Sequence, residues 1–268
     1  MADKFQKFNA ILKQSKNILV LTGAGVSAES GIPVFRGSGG YWRTHRSMDV
    51  ATPEAFKYNP SLVWEFYHYR REVAFRALPN KAHLALAKYE QVCKQEGRVF
   101  NIITQNVDGL HQRAGSENVT ELHGALRQVK CTKCKTIDVN VDMPICEALT
   151  GRGDPNLQED LPAIPIDCLP KCKSCNGLLR PYIVWFGENL NREILNKARI
   201  LVESCDLCLV VGTSSLVYPA AMFAPLVAER GKLVAEFNIA QEPASEIFQF
   251  YFPGACGTTI PRAFDLQV

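Results

Sequence analysis

The stretch Asn17-Ile-Leu-Val-Leu-Thr-Gly-Ala-Gly-Val-Ser-Ala-Glu-Ser-Gly-Ile-Pro-Val-Phe-Arg36 decides the fold. An apolar run that empties into glycines and small residues reads as a buried strand followed by a phosphate-gripping turn. Gly23 is expected to allow the tight turn and Gly25 to let the backbone approach a pyrophosphate. Ala28 is expected against the sheet, where the third glycine of G-x-G-x-x-G/A sits. Amides at the start of the next helix, and its dipole, favour the negative charge. The tail Ser30–Arg36 is more specific. An ordinary dehydrogenase continues a helix here, and Gly31 with Pro33 breaks one. The dinucleotide is therefore expected under a loop, with Phe35 and Arg36 covering a reacting centre.

Further strands are expected over 99–104, 207–211 and 233–237, and helices over 5–14, 61–75, 81–95, 191–203 and 219–230. Near-continuous apolar strands separated by helices predict an α/β fold with a parallel sheet covered on both faces. In such sheets the ligand lies beyond the carboxyl ends of the strands. Those ends carry Thr22-Gly23, Thr104-Gln-Asn-Val-Asp108, Gly212-Thr-Ser-Ser215 and Asn238, all small or polar groups suited to a ribose, a phosphate or an amide. Residues 41–97 read as mainly helical. Residues 127–177 carry cysteine pairs, and the proline- and glycine-containing stretch 143–171 reads as an extended loop.

The 268 residues, 47% of them hydrophobic, suffice for one large domain or two lobes. A net charge of +3 is too small for bulk nucleic-acid binding, and no apolar stretch reaches a membrane span. The opening Met1-Ala-Asp-Lys-Phe-Gln resembles neither a secretory h-region nor an arginine-rich transit peptide.

Four of the ten cysteines form the pairs Cys131-x-x-Cys134 and Cys172-x-x-Cys175, which read as a structural zinc ribbon with four thiolates and no open coordination position. Cys146 and Cys168 lack a partner two residues away. Cys205 and Cys208 enter a strand, where residues three apart point to opposite faces and share no metal. His123, at a strand-to-loop junction near the polar 105–108 segment, is a candidate general base. His111 is expected in a helix at the surface, and His45, His68 and His83 have no supporting context. On the helix that contains Trp64–Glu72, Tyr67 shares a face with Arg70 and, four residues on, with Arg71; spacing does not choose between them. The plainer alternative leaves both arginines solvated or paired with Glu65 and Glu72.

With these motifs in this order the chain resembles the sirtuins, NAD-dependent protein-lysine deacylases, from about residue 9 to the end. The segments that carry the resemblance are Gly-Ala-Gly-x-Ser, Gly-Ile-Pro-x-Phe-Arg, Thr-Gln-Asn-Val-Asp-Gly-Leu-His, His123-Gly124, Gly-Thr-Ser and the cysteine pairs. The resemblance implies one catalytic domain over 1–268. Its Rossmann-like lobe spans about 1–40, 98–126 and 178–268, and its smaller lobe about 41–97 (helical) and 127–177 (zinc ribbon). It implies NAD contacts from Gly23, Ala24, Gly25, Ser27, Glu29, Phe35, Arg36, Gln105, Asn106, Val107, Asp108, Gly212, Thr213, Ser214, Asn238 and Cys256, and one structural zinc on Cys131, Cys134, Cys172 and Cys175. Val184, Phe186, Gly187 and Glu188 would hold the substrate backbone.

Tyr67, Arg70 and Ala51 look like the acyl pocket of the mitochondrial branch of the family that accepts malonyl, succinyl and glutaryl lysine; by this resemblance Arg70, not Arg71, is the pocket arginine. Val34 stands where members often carry Asp, and Asn238-Ile-Ala is less polar than expected. The implied reaction has the acyl oxygen displace nicotinamide, His123 act as base on a ribose hydroxyl, and lysine, nicotinamide and acyl-ADP-ribose as products. The implied partners are acyl-lysine proteins, metabolic enzymes among them, with no nucleic acid or membrane, in a monomer or weak homodimer. The implied location is mitochondrial, with cytosol and nucleus as further compartments. A plain deacetylase or ADP-ribosyl transferase would keep this fold. A hydride-transferring oxidoreductase would need neither ribbon nor broken helix. A zinc-ribbon adaptor would need basic or aromatic exposure, whereas the insert carries Glu147, Asp154, Glu159, Asp160 and Asp167.

Overall fold

The structure, a computed structural model, describes residues 3–34, 40–157, 161–240 and 242–268; Phe35 and Arg36 lie outside the described residues. Its centre is a sheet of β1 (Asn17–Thr22), β4 (Val99–Thr104), β5 (Val119–Glu121), β9 (Leu207–Val211), β10 (Leu233–Asn238) and β11 (Phe250–Pro253). The order is β11-β10-β9-β1-β4-β5, and every pairing is parallel. From β1 the chain builds outward to β4 and β5, then crosses back to lay β9, β10 and β11 on the other side. The order reverses between β1 and β9, so a crevice opens beyond their carboxyl ends.

Side-chain alternation explains why these strands read as unbroken apolar runs. Ile18 and Val20 join a core with Phe8 and Leu12 of α1 (Lys4–Gln14), Leu86 of α6 (Lys81–Gln95) and Ile260 of α10 (Cys256–Phe264). Leu19 and Leu21 face the other way, onto Ala198 and Val202 of α8 (Arg192–Ser204) and Phe223 and Val227 of α9 (Phe223–Glu229). Both faces are dry. The helix expected over 219–230 is a 3-10 turn, Ala220–Met222, that runs into α9.

The second lobe is built on α5 (Pro60–Arg76). Asn59 caps it by accepting from the Leu62 amide at 3.0 Å, and Pro60 takes the first turn, where its missing N–H costs nothing. Val63, Trp64, Phe66, Tyr67, Arg70, Arg71 and Ala74 are all buried, so the helix is enclosed on nearly every side. Around it lie the hairpin β2 (Tyr41–Trp42) and β3 (His45–Arg46), the short helices α3 (Ser47–Val50) and α4 (Pro53–Tyr58), and an antiparallel sheet. That sheet has the order β7-β6-β8, from β6 (Gly124–Cys131), β7 (Ile137–Val139) and β8 (Leu179–Ile183).

Two expected lobe boundaries move. Residues 81–95 pack as α6 on the main sheet and not in the small lobe, because Ala82, Ala85, Leu86, Tyr89 and Cys93 join its core. Residues 179–183 pair with β6, so the ribbon lobe extends past 177. No described helix is long and apolar enough to cross a membrane.

Candidate active site

The crevice begins where β1 ends. The helix that follows, α2 (Ala24–Ala28), has five residues and stops before Gly31, as the broken pattern requires. The glycines are required by close packing of the backbone. Gly23 has φ −129°, an ordinary extended value, so no unusual turn demands it. A Cβ there would lie 2.6 Å from Thr213 Cβ; one at Gly25 would lie 2.7 Å from the Gly212 carbonyl oxygen. Gly212, at φ +58°, would place its own Cβ 2.5 Å from the Val26 nitrogen. The turns after β1 and β9 thus interlock backbone to backbone, sealed by Gly25 N–H to Gly212 O at 2.7 Å and Gly23 N–H to Val211 O at 3.1 Å. Ala28 is exposed and does not stand against the sheet; Val26 and Ser27 take the inward positions.

Above this lock the polar groups form one network. Ser27 Oγ donates to Asp108 Oδ2 at 2.7 Å and accepts from Asn106 Nδ2 at 3.0 Å, which also donates to Gly23 O at 2.9 Å. The amide of Leu110, at the start of α7 (Leu110–Arg113), donates to Asp108 Oδ1 at 2.8 Å. Desolvation pushes the Asp108 carboxyl up, opposed by those donors and by Arg70. Gln105 donates to Thr213 Oγ1 at 3.0 Å and Asn238 to Thr213 O at 2.9 Å, so the ends of β4, β9 and β10 meet over Thr213. Beside them lies a small cavity lined by Thr22, Gln105, Thr213 and Ser215 on one side and by apolar residues such as Ile103 and Phe223 on the other.

Ala24 and Ser214 are exposed at the rim, and Val107 is half-buried. Glu29 and Cys256 lie together at one end: the Glu29 carboxylate accepts from the Gly257 amide at 3.0 and 3.1 Å, in the first turn of α10. Cys256 is buried, which pushes its thiol up to about 12.

His123 sits in the turn between β5 and β6, which belong to different sheets, rather than on a strand. Its Nδ1 lies 3.1 Å from the Gln105 carbonyl. A carbonyl only accepts, so Nδ1 carries the proton and Nε2 keeps its lone pair. Burial lowers the His123 pKa, partly opposed by that bond. The result is an oriented, neutral imidazole.

The wall opposite comes from the small lobe. Tyr67 and Arg70 are buried on α5; Trp185 Nε1 donates to the Tyr67 hydroxyl at 2.9 Å, and Arg70 Nη1 donates to Pro33 O at 2.7 Å. The structure separates the two arginines that spacing left equivalent. Arg71 donates to the backbone carbonyls of Leu126, Asn140 and Asp142, clamping α5 to the ribbon sheet. Neither arginine follows the plain expectation of solvation or pairing with Glu65, whose carboxylate is taken by Arg43 and Arg152 at 3.0 Å each. Ala51 is buried at the end of α3, and its carbonyl accepts from the Phe186 amide at 3.0 Å. Val184 N–H donates to His123 O at 2.9 Å, so residues 184–188 run between the histidine and the α5 wall. Gly187 (φ +88°) turns the segment, and Glu188 folds back onto Arg180.

The expected ribbon ligands converge. Cys131, Cys134, Cys172 and Cys175 place their sulfurs within 4.8 Å of one another, with Cys131–Cys175 at 3.5 Å and Cys134–Cys172 at 3.7 Å. Zn–S bonds of ~2.3 Å in a tetrahedron give sulfur edges of ~3.8 Å, so the residues fit one zinc ion. Gly177 is needed beside them, since a Cβ would lie 2.9 Å from Cys131 Sγ. Cys146, Cys168, Cys205 and Cys208 stay outside this group, the only one of its kind among the described residues.

A second placement, besides that of Ala28, is overturned. His111 is not at the surface: it is buried, its Nε2 lies 3.0 Å from Thr22 Oγ1, and its ring is 4.8 Å from that of His83. Burial holds His111 well below the ordinary histidine value and His83 at about 4. Asn80 was missed. It caps α6 and also donates to Val26 O at 2.7 Å and Ser30 Oγ at 2.9 Å, pinning the loop after α2; its signal was an Asn just before the run that opens at Lys81.

A parallel sheet with a crevice at its switch point, an oriented neutral histidine and a closed four-cysteine ribbon together define a nucleotide-using enzyme class. Comparison with known proteins gives the family. The Sir2 family model matches residues 23–219, and the chain belongs to that family. It is 58% identical to an NAD-dependent protein deacylase of Daphnia pulex, over 96% of this chain and 94% of that one. It is 56% identical to the mitochondrial NAD-dependent protein deacylase sirtuin-5 of Danio rerio, over 96% of this chain and 85% of that one. A crystal structure of a Sir2 homolog–NAD complex superposes with a TM-score of 0.82 at 40% identity, covering 97% of this chain and 92% of its own.

Proposed function

We propose that the chain is an NAD-dependent protein-lysine deacylase that prefers acyl groups ending in a carboxylate: succinyl, malonyl and glutaryl. The single observation that carries the acyl preference is the buried pair Tyr67 and Arg70, a hydroxyl and a guanidinium on one face of α5. A carboxylate that enters a protein interior is stable there only where a cation and donors receive it. An acetyl group needs neither. The relatives named as deacylases support the class of reaction.

NAD, when bound, would supply the ribose anomeric carbon as the electrophile for the acyl oxygen, with nicotinamide as the leaving group. The chain's own groups do the remainder. Ser27, Asn106 and Asp108 hold ribose and carboxamide polar groups in a water-poor crevice, where fixed dipoles act strongly. Phe35 and Arg36, which lie outside the described residues, are expected from the sequence motif to cover the reacting centre. His123 Nε2 removes a proton from a ribose hydroxyl, with Nδ1 held by Gln105 O so that the ring presents its lone pair. Residues 184–188 hold the substrate backbone, and Ala51 leaves room for the acyl chain. The ribbon holds one structural zinc. Acylated metabolic enzymes in mitochondria are the proposed substrates, with further copies in cytosol and nucleus and a monomeric or weakly dimeric state; relatives named mitochondrial support the compartment.

The test is a mass-spectrometric assay of matched acetyl-, malonyl-, succinyl- and glutaryl-lysine peptides with NAD, following acyl-ADP-ribose. Higher kcat/KM for the acidic acyl groups is expected. Equal or better acetyl turnover makes the protein a plain deacetylase.

A further inference from the structure

We propose that Arg180 is a positioning residue for acyl selection: acting through Trp185, it sets the Tyr67 hydroxyl so that its proton faces the acyl carboxylate. The proposal rests on the reading of Tyr67 and Arg70 as a carboxylate pocket and identifies what orients it.

Arg180 lies on β8, the strand that leaves the cysteine ribbon, and its side chain holds the following turn in three ways. Nη1 and Nη2 donate to Glu188 Oε1 and Oε2 at 2.6 and 2.8 Å, a two-point clamp. Nη2 also donates to Ile183 O at 2.9 Å, and Nε to Pro181 O at 3.3 Å. The guanidinium carbon stands 3.5 Å from the centroid of the Trp185 ring. Glu188 Oε2 in turn accepts from the Trp185 backbone amide at 2.9 Å. Trp185 is therefore held at its backbone by Glu188 and on its ring by Arg180, with Phe56 packed against the ring at 5.2 Å between centroids; of these restraints, the Glu188 clamp and the cationic stack both come from one guanidinium.

The held indole points its Nε1–H at Tyr67. An indole nitrogen only donates, so the Tyr67 oxygen must accept at that contact. A phenol has one proton, which cannot also lie toward Trp185 and is turned to the other side of the oxygen. Burial pushes the Tyr67 pKa well above its ordinary value, so the proton is retained at any working pH. Without the indole, the hydroxyl is free to rotate and spends part of its time as an acceptor toward the pocket, which repels a carboxylate. The polarity of the pocket wall thus depends on a residue that touches neither substrate nor NAD.

The test uses the zinc-loaded enzyme and reads the ratio of kcat/KM for succinyl over acetyl peptide, in which general damage to peptide or NAD binding cancels. Arg180→Lys keeps the charge but loses the clamp and the planar stack. It should lower the ratio about three- to tenfold, less than full loss of a hydrogen bond to a charged group because the freed hydroxyl still donates part of the time. The change should fall on KM for the succinyl peptide, with zinc content and KM for NAD unchanged. Trp185→Phe keeps the ring but removes the N–H and should lower the ratio similarly. In a Tyr67→Phe background, Arg180→Lys should have no further effect on it.

An unchanged ratio in Arg180→Lys, or in Trp185→Phe, overturns the proposal, as does an undiminished effect of Arg180→Lys in the Tyr67→Phe background. If Arg180→Lys does not fold, Glu188→Gln, which weakens the same clamp, takes its place and an unchanged ratio in it overturns the proposal. A wild-type enzyme with no succinyl preference removes the carboxylate reading and this proposal together. A wild type that prefers succinyl, with variants that leave the ratio unmoved, removes this proposal alone.

Discussion

The crevice beyond the sheet and the α5 wall proposed to receive the acyl group both touch residues 184–188 yet are built on different principles. The crevice is a backbone construction. Glycines 23, 25 and 212 let two turns touch, and main-chain bonds such as Gly25 N–H to Gly212 O lock them. The acyl wall is made of side chains that meet across long sequence distances: Trp185 with Tyr67, Arg70 with Pro33 O, Arg71 with Asn140 and Asp142. A site that binds one invariant cosubstrate gains from rigid backbone. A site that discriminates among acyl chains is set by replaceable side chains, and one substitution can change its choice without disturbing the other region.

Four experiments test that division, from the largest effect down. The ribbon underlies the acyl wall, so loss of zinc should break both regions. Structural zinc contributes about 10–16 kcal/mol in zinc-finger peptides, against a net domain stability of about 5–15 kcal/mol. Cys172→Ser or a strong chelator should cause aggregation or loss of the small lobe, followed by circular dichroism and metal analysis. Active protein containing no zinc would refute the ribbon.

Next, His123→Ala should cut turnover on every acyl peptide alike by roughly 10²–10⁴-fold, with NAD affinity by calorimetry nearly unchanged. The wild-type pH profile carries the same test. Burial depresses the His123 pKa, so the neutral base persists as pH falls through the ordinary value of 6.5, and activity is lost only on further acidification. An acid limb above that value would assign the base elsewhere.

Third, Arg70→Met should reduce desuccinylation by about one to three orders of magnitude, from loss of charge-assisted bonds worth roughly 1.5–3 kcal/mol each, while deacetylation holds or improves. Parallel loss of both activities would place Arg70 in the crevice rather than the wall. The smallest effect belongs to Gly25→Ala. The added methyl must displace the Gly212 carbonyl, an overpacking cost of about 1–3 kcal/mol. It should lower the urea midpoint and raise KM for NAD while leaving the succinyl-to-acetyl ratio untouched; a change in that ratio would mean the two regions are coupled through the backbone.

The same division explains what was legible in the sequence. The crevice could be read because its parts are local: an apolar strand, then glycines, then polar residues at each strand end. The four longest central strands and the helix over 81–95 appear where periodicity put them. The packing contact of Gly25 with Gly212 could not be read, since it joins residues far apart in the chain. Ala28 failed because the helix is too short to press a third small residue on the sheet. His111 was misplaced because its short helix is covered by His83 and by Thr22 of the first strand, neither visible from its neighbours. The two-residue spacing within each cysteine pair brought all four sulfurs together, because a metal site is specified by local knuckles.

Arg71 has a consequence for any mutational survey of this protein. It is a positive group enclosed by neutral carbonyl dipoles, and its removal strands several acceptors inside the small lobe. Arg71→Ala should therefore abolish every activity at once and in a simple screen would look as severe as loss of the base. Its neighbour Arg70 would look milder, although it is the residue proposed to receive the acyl carboxylate. Severity in such a screen ranks how many partners a side chain leaves behind, not how near it stands to the chemistry.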